Sequence, residues 1–131
     1  MKNIITGIAC FLVLSVFIVQ FTSNQVSHSK MLYVETQVNA ALEETKEEGC
    51  LTNSIVQNLK EKIAGKVKCN ASEIVILGTT KPVLRGEEIS YSVSYPLKGV
   101  IGASNILGLT DQENSLTHTL SGIVISEYIK R

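Results

Sequence analysis

The sequence predicts an α+β protein. A single N-terminal transmembrane helix extends into an amphipathic helix, and a short second helix and a small antiparallel β-sheet head follow. Three observations carry this prediction: an uncharged apolar run at 4–19, helical spacing of apolar residues at 26–48, and alternation of apolar residues with serines at 87–95. At 131 residues the chain has room for one domain. We therefore expect a transmembrane anchor at 1–25 and an extracytoplasmic α+β domain at 26–131.

The composition argues against several classes of function. Lys and Arg total 12 and Asp and Glu total 12, so the chain lacks the basic excess with which a nucleic-acid binder neutralises phosphates. His28 and His118 are far apart and belong to no metal-ligand motif, and no phosphate-binding or nucleophile motif is present. We expect a non-enzymatic protein with no cofactor, no metal site and no small-molecule substrate.

The first element is the membrane anchor. Residues 4–19 carry no charge, and as a helix they would span about 24 Å. This length is slightly short of a hydrocarbon core of about 30 Å, but local thinning or snorkelling accommodates it. Lys2 precedes the run and the next positive charge is Lys30, which predicts a cytoplasmic N-terminus and a single pass through the cell membrane. Representative anchor positions are Ile4, Val13, Val16 and Val19.

Two other interpretations of this run remain open. A cleaved signal peptide needs small residues at −3 and −1, but cuts after Ser23 or Ser27 would place Phe21 or Gln25 at −3. A lipoprotein needs its cysteine after the apolar run, whereas Cys10 lies inside it. The uncleaved anchor is the preferred interpretation, and a secreted small domain is the alternative.

Two helices are predicted next. Gly49 should stop the first, Thr52 or Asn53 should cap the second, and Gly65 should end it. The apolar positions of the first helix are Met31, Val34, Val38, Ala41 and Leu42. Those of the second are Ile55, Val56, Leu59 and Ile63.

Three strands are predicted after the helices. The nearly continuous apolar run at 73–79 fits a strand covered on both faces. Residues 87–95 alternate with period two, Pro96 should end that strand, and 116–129 should form the last one. The face expected to point toward the helices holds Ile89, Tyr91, Val93 and Tyr95. The opposite face, our candidate docking face, holds Ser90, Ser92 and Ser94.

The segment 97–115 combines apolar residues with glycines that should break any regular element. Its apolar residues are Val100, Ile101, Ile106, Leu107 and Leu109. Either this segment folds over the sheet as core, or it is an exposed patch for a partner or for the outer membrane leaflet.

Cys50 and Cys69 flank the second helix in a compartment that permits disulfides. That helix would be about 18 Å long, whereas bonded cysteines have Cα atoms about 5.5 Å apart. A disulfide is therefore possible only if one tail folds back along the helix. The alternative is two separate thiols.

Two runs of the sequence are informative together: ALEETKEEGCLTNSIVQNLKEKI at 41–63 and ILGTTKPVLRGEEISYSVSYP at 76–96. They resemble the TadE-like minor pilins and pilin-like proteins of tight-adherence (Tad) pilus systems, and on this resemblance 26–131 is a pilin-like domain. The resemblance covers about residues 1–96. It implies a membrane-anchored subunit for assembly of a Tad or type IV-like pilus or of a surface secretion machine, with other pilin-like subunits or that machinery as partners.

One position departs from the family pattern. Pilins processed by a prepilin peptidase carry Glu five residues after a Gly, whereas here Leu12 stands five residues after Gly7. A different function class is also open: a single-span accessory or scaffold protein of a secretion or conjugation apparatus that docks a partner through its β head.

Overall fold

The computed structural model describes residues Met1–Lys130. It confirms an α+β fold with a long apolar helix, a second helix and a small open sheet. In chain order the elements are α1 Lys2–Glu48, α2 Asn53–Val67, a 3₁₀ turn Ala71–Glu73, β1 Val75–Gly78, β2 Glu88–Lys98, α3 Ser104–Leu107 and β3 Ser115–Ile125. The three strands form the sheet in the order β1-β2-β3.

The chain folds as two compact units. The first unit combines residues 1–29 with 97–116, and the second combines 30–96 with the chain from 117 onward. The predicted anchor at 1–25 lies within the first unit, where the segment 97–116 packs with the N-terminal part of α1. The division into an anchor at 1–25 and a domain at 26–131 stays a prediction.

Helix α1 is unbroken for 47 residues. The polar stretch at 22–30 contains neither Pro nor Gly, so nothing interrupts the helix there. In the apolar run, the Ser15 hydroxyl donates to the Phe11 carbonyl at 2.8 Å, which satisfies a polar group without water. The helix stops at Gly49, where φ is +77° and glycine carries no Cβ penalty.

Helix α2 begins as predicted, because the Thr52 side chain accepts a hydrogen bond from the Ile55 N–H at 3.3 Å. Its predicted end at Gly65 is wrong. The helix continues to Val67, and Lys68 then takes the left-handed conformation at φ 59°. Burial of Val67, which is 1% exposed, outweighs the cost of about 1 kcal/mol for a helical glycine.

The core of the second unit joins one stripe from each helix to one face of β2. Alternation along β2 places Ile89, Val93 and Tyr95 in the core, while Tyr91 is half-buried. The helix residues of this core are Val34, Val38, Leu42, Ile55, Leu59, Ile63 and Val67.

Two strand predictions need correction. Strand β1 covers only Val75–Gly78 at a sheet edge, and Leu77 is 64% exposed, so the expected cover on both faces is wrong. Strand β2 continues through Pro96 to Lys98. Its even-numbered backbone groups face β1, since the Ser90 carbonyl accepts from the Thr79 N–H. Pairing between β1 and β2 ends at Val75 and Ser94. Pro96, which has no backbone N–H, therefore faces no β1 residue that would need a hydrogen-bond donor.

In the first unit, residues 97–116 form a folded segment against α1. The glycines do not prevent a single helical turn, α3 at Ser104–Leu107. The Gln20 side chain donates to the Val100 carbonyl at 3.0 Å and accepts from the Gly102 N–H at 3.2 Å. This segment nevertheless leaves Ile106 83% exposed.

Candidate assembly surfaces

The first candidate surface is the apolar part of α1. By length and composition this helix is capable of crossing a membrane, and none of its most hydrophobic 18-residue window is buried. Side chains that elsewhere would fill a core are therefore not covered by the other residues that the structure describes. The predicted anchor positions Ile4, Val13, Val16 and Val19 are 67%, 56%, 49% and 42% exposed.

One side of this surface is shaped by small residues. A shallow, almost wholly apolar groove is lined by Thr6, Ala9, Cys10, Val13 and Leu14. Small side chains at such spacing permit close approach of another helix. The Cys10 thiol is exposed, which makes it a native chemical probe of this face.

The second candidate surface is the outer face of the sheet, where the predicted docking serines lie. Ser90 is exposed, whereas Ser92 and Ser94 are half-buried. The Ser94 hydroxyl lies 3.0 Å from that of Thr119 on β3. Ser90 lies 3.3 Å from Thr79, hydroxyl to hydroxyl. Cross-strand bonds of this kind tie the three strands together on this face.

Sequence reasoning missed the apolar residues that flank these serines. Val75 and Leu77 lie opposite Ser94 and Ser92, and residues directly opposite in a ladder share a face. On β3 the alternation that places Thr119 outside also places Ile123 there. The outer face thus has a hydroxyl-rich centre between apolar margins. The margin residues Val75, Leu77, Ile123 and Ile125 are 48%, 64%, 61% and 50% exposed.

The inner face of the sheet holds one buried polar group that makes no hydrogen bond within residues 1–130. Tyr95 is fully buried, and its Oη has no hydrogen-bond partner among residues 1–130. Burial, and to a smaller extent the nearby Glu35 carboxylate, raises the pKa of Tyr95. This phenol therefore stays neutral and contributes to packing rather than to proton transfer.

Cys50 and Cys69, between which the sequence allows a disulfide, lie at opposite ends of α2. The 15-residue helix between them is about 22 Å long, whereas bonded cysteines have Cα atoms about 5.5 Å apart. The disulfide stays a prediction. Burial, followed by the charge of Glu48, raises the pKa of the Cys50 thiol, which makes it a poor nucleophile.

Across residues 1–130, no group of three or more His, Cys, Asp or Glu side chains is placed to hold a metal ion. Comparison with protein-family models, curated proteins and solved structures gives no match. The functional interpretation therefore depends on the two surfaces described above and on the sequence resemblance.

Proposed function

We propose that this chain is a non-enzymatic, membrane-anchored pilin-like subunit for assembly of a Tad or type IV-like pilus or of a surface secretion machine. The observation that carries the proposal is the difference in burial between the two parts of α1. Its first part exposes an apolar surface that the rest of Met1–Lys130 leaves uncovered, whereas Val34, Val38 and Leu42 of the same helix are core residues of a folded α+β unit.

The physical argument concerns the uncovered half. An apolar helix surface of this size is unfavourable in water and needs a cover of lipid or of other helices. A subunit of a helical assembly uses both in turn: lipid before assembly and neighbouring anchors afterward. The anchor then crosses the cell membrane once with its N-terminus in the cytoplasm. Lys2 lies directly before the span, whereas no Lys or Arg follows the span until Lys30, and positive charge favours the cytoplasmic side.

The uninterrupted helix also favours a retained anchor over a cleaved leader. Cutting after Ser23 or Ser27 would divide one continuous helix and remove the residue Gln20, which holds the segment 97–116. The resemblance of 41–63 and 76–96 to TadE-like proteins supports the same class of function. The expected partners are other pilin-like subunits or components of the machinery.

The outer sheet face favours a second candidate, an accessory protein that docks a partner through its β head. Its exposed Leu77 and Ile123 give such a partner apolar contact, and the serines between them offer hydrogen bonds. This candidate needs the same anchor but no contact between the anchors of neighbouring copies. Contact between anchors therefore distinguishes the pilin-like subunit from the accessory protein.

Cysteine cross-linking in the native membrane tests the proposal. Cys50 and Cys69 are changed to alanine, and a single cysteine is moved through positions 9–16, with native Cys10 as one member of the series. A membrane-permeant oxidant then joins cysteines of adjacent copies. Packing of anchors against each other predicts disulfide-linked dimers whose yield rises and falls with a period of about 3.6 residues.

A flat, low yield at all eight positions would show anchors isolated in lipid and would contradict the subunit proposal. In that outcome the accessory function is favoured, provided that the Ser92→Asp variant loses a partner that the wild type retains in detergent extracts. A chain in which Cys10 is also replaced, so that no cysteine remains, is the control for cross-links formed by other proteins.

A further inference from the structure

The segment 97–116 is anchored at one defined level of α1. Gln20 bonds its backbone twice, to the Val100 carbonyl and the Gly102 N–H. Gly102 itself lies so close to the helix that a Cβ would sit 2.5 Å from Ser23 Oγ and 2.8 Å from the Val19 carbonyl oxygen. Only glycine permits this approach of two backbones.

The segment is also internally braced. Asn114 is 5% exposed, and its side chain accepts from the Ile101 N–H at 2.6 Å and donates to the Ile101 carbonyl at 3.0 Å. The Gly99 N–H donates to the Asn114 carbonyl at 2.9 Å. The exposure of its apolar side chains is therefore built into a defined conformation.

Residues 1–130 leave those side chains uncovered. Ile106 and Leu107 are 83% and 64% exposed, and both lie on α3. Two adjacent large apolar residues on a braced turn are costly in water unless something covers them.

The position along α1 at which the segment is attached indicates what covers Ile106 and Leu107. If residues 4–19 fill the hydrocarbon core, Gln20–Ser23 occupy about the next 6 Å of helix. The headgroup region of each leaflet is about 5–7 Å thick. The segment is thus fastened to α1 within the interfacial layer, where amphipathic elements bury apolar side chains to a depth of about 5–10 Å.

We propose that residues 97–116 are a membrane-interfacial segment that inserts Ile106 and Leu107 into the outer leaflet beside the anchor. This inference rests on the anchor of the proposed function but not on filament assembly. The segment holds one Lys against Asp111 and Glu113, so it lacks a basic cluster. Its insertion is therefore apolar, and it should depend neither on anionic lipid nor on salt.

Tryptophan fluorescence tests the proposal, because the chain contains no Trp. Full-length Ile106→Trp and Val13→Trp variants are reconstituted separately, at one copy per nanodisc, in phosphatidylcholine brominated at shallow or deep acyl positions. We expect Ile106→Trp to show blue-shifted emission. Bromines at the shallow acyl positions should quench most of this fluorescence. Val13→Trp should be quenched mainly by deep bromines. Neither result should change with added salt or with phosphatidylglycerol.

The two failures are distinguishable. Water-like emission from Ile106→Trp together with quenched Val13→Trp would overturn the interfacial segment and leave the anchor standing. Unquenched Val13→Trp would overturn the anchor itself. A blue shift of Ile106→Trp that appears only at several copies per disc, without bromine quenching, would identify a second copy as the cover and would also overturn the proposal.

A matched pair tests the role of Gln20. In the Ile106→Trp background, Gln20→Ala removes both bonds to the segment and should reduce shallow-bromine quenching. Gln25→Ala changes an exposed glutamine of the same helix and should leave the quenching unchanged. Equal quenching in both variants would show that Gln20 does not set the position of the segment.

Discussion

The ring of Tyr95 meets the ring of His118 edge-on, with centroids 5.6 Å apart and planes inclined at 69°. Tyr95 lies on the central strand β2 and His118 on the edge strand β3, so the contact joins the two strands on the inner face of the sheet. Edge-to-face aromatic pairs contribute about 0.5–1.5 kcal/mol beyond simple burial. This contact stabilises a buried aromatic ring at position 95, although its hydroxyl has no hydrogen-bond partner among the residues that the structure describes.

Tyr95→Phe should preserve or raise stability. It keeps the ring contact and removes a buried hydroxyl without a partner in the described chain, so we expect a gain of about 0–1 kcal/mol at neutral pH. Since the folded state raises the pKa of Tyr95, the wild type should lose further stability as pH rises past the ordinary tyrosine pKa, and the variant should not. Denaturant unfolding in detergent measures both effects. A loss above about 1 kcal/mol from Tyr95→Phe would reveal a hidden hydrogen bond.

Val93→Asp and Ser92→Asp form a matched pair on adjacent residues of β2. Val93 is 2% exposed, so a carboxylate there must be buried or take up a proton, at a cost of several kcal/mol. Ser92 lies on the outer face, where the same side chain should change stability by about 0.5 kcal/mol or less. Protease resistance of the membrane-bound protein reports both. Comparable damage from the two substitutions would mean that the outer face is also covered.

Gly49→Ala and Gly65→Ala should change stability in opposite directions. At position 49, φ is +77° and a Cβ would lie 2.7 Å from the Val83 carbonyl oxygen, so we expect a loss of about 1–3 kcal/mol. At position 65, inside α2, no atom of residues 1–130 lies within 4 Å of the added Cβ apart from the neighbouring residues and the adjacent turns of helix backbone, so alanine should gain about 0.5–1 kcal/mol. Thermal unfolding distinguishes them. Stabilisation by both alanines would contradict the turn geometry at Gly49.

Glu113 provides a prediction about pH. Its Oε2 accepts from the Thr110 N–H at 2.8 Å and from the Thr110 hydroxyl at 2.9 Å, and these bonds hold the pKa of Glu113 below its ordinary value. The stabilisation of this turn is therefore complete above the ordinary glutamate pKa and is lost as pH falls through the lowered one. In detergent micelles, the NMR chemical shift of the Thr110 amide should follow this titration in the wild type. The same shift should show no titration in Glu113→Gln. A midpoint at or above the ordinary value would refute the contact.

Local signals were sufficient to predict much of the fold from the sequence. The serine alternation at 87–95 identified the buried face of β2, and Thr52 and Gly49 marked helix ends through their own backbone chemistry. The end of α2 was misplaced because Val67 gains its burial from distant residues, which outweighs the local effect of Gly65.

The features that remained hidden depend on contacts distant in sequence. The alternatives for 97–115 were core, partner site or membrane contact, and only the bonds from Gln20, some 80 residues away, place this segment against α1. The apolar margins of the outer face were missed because the exposure of Leu77 depends on β1 lying at an edge of the sheet. A hydrophobic run at an edge and one at the centre of a sheet have the same sequence pattern.

The proposed function requires that copies of this chain assemble through their anchors into a structure outside the cell membrane. Shearing of intact cells, followed by sedimentation and detection of the chain in the released material, tests it most directly. The wild type should appear in the sheared fraction, whereas Val16→Lys should not, because a central lysine costs about 2.5–3.5 kcal/mol on membrane insertion. Gln25→Lys, in the polar stretch, should behave as the wild type. Confinement of the wild-type chain to the membrane fraction, in cells that release other surface filaments, would contradict the account.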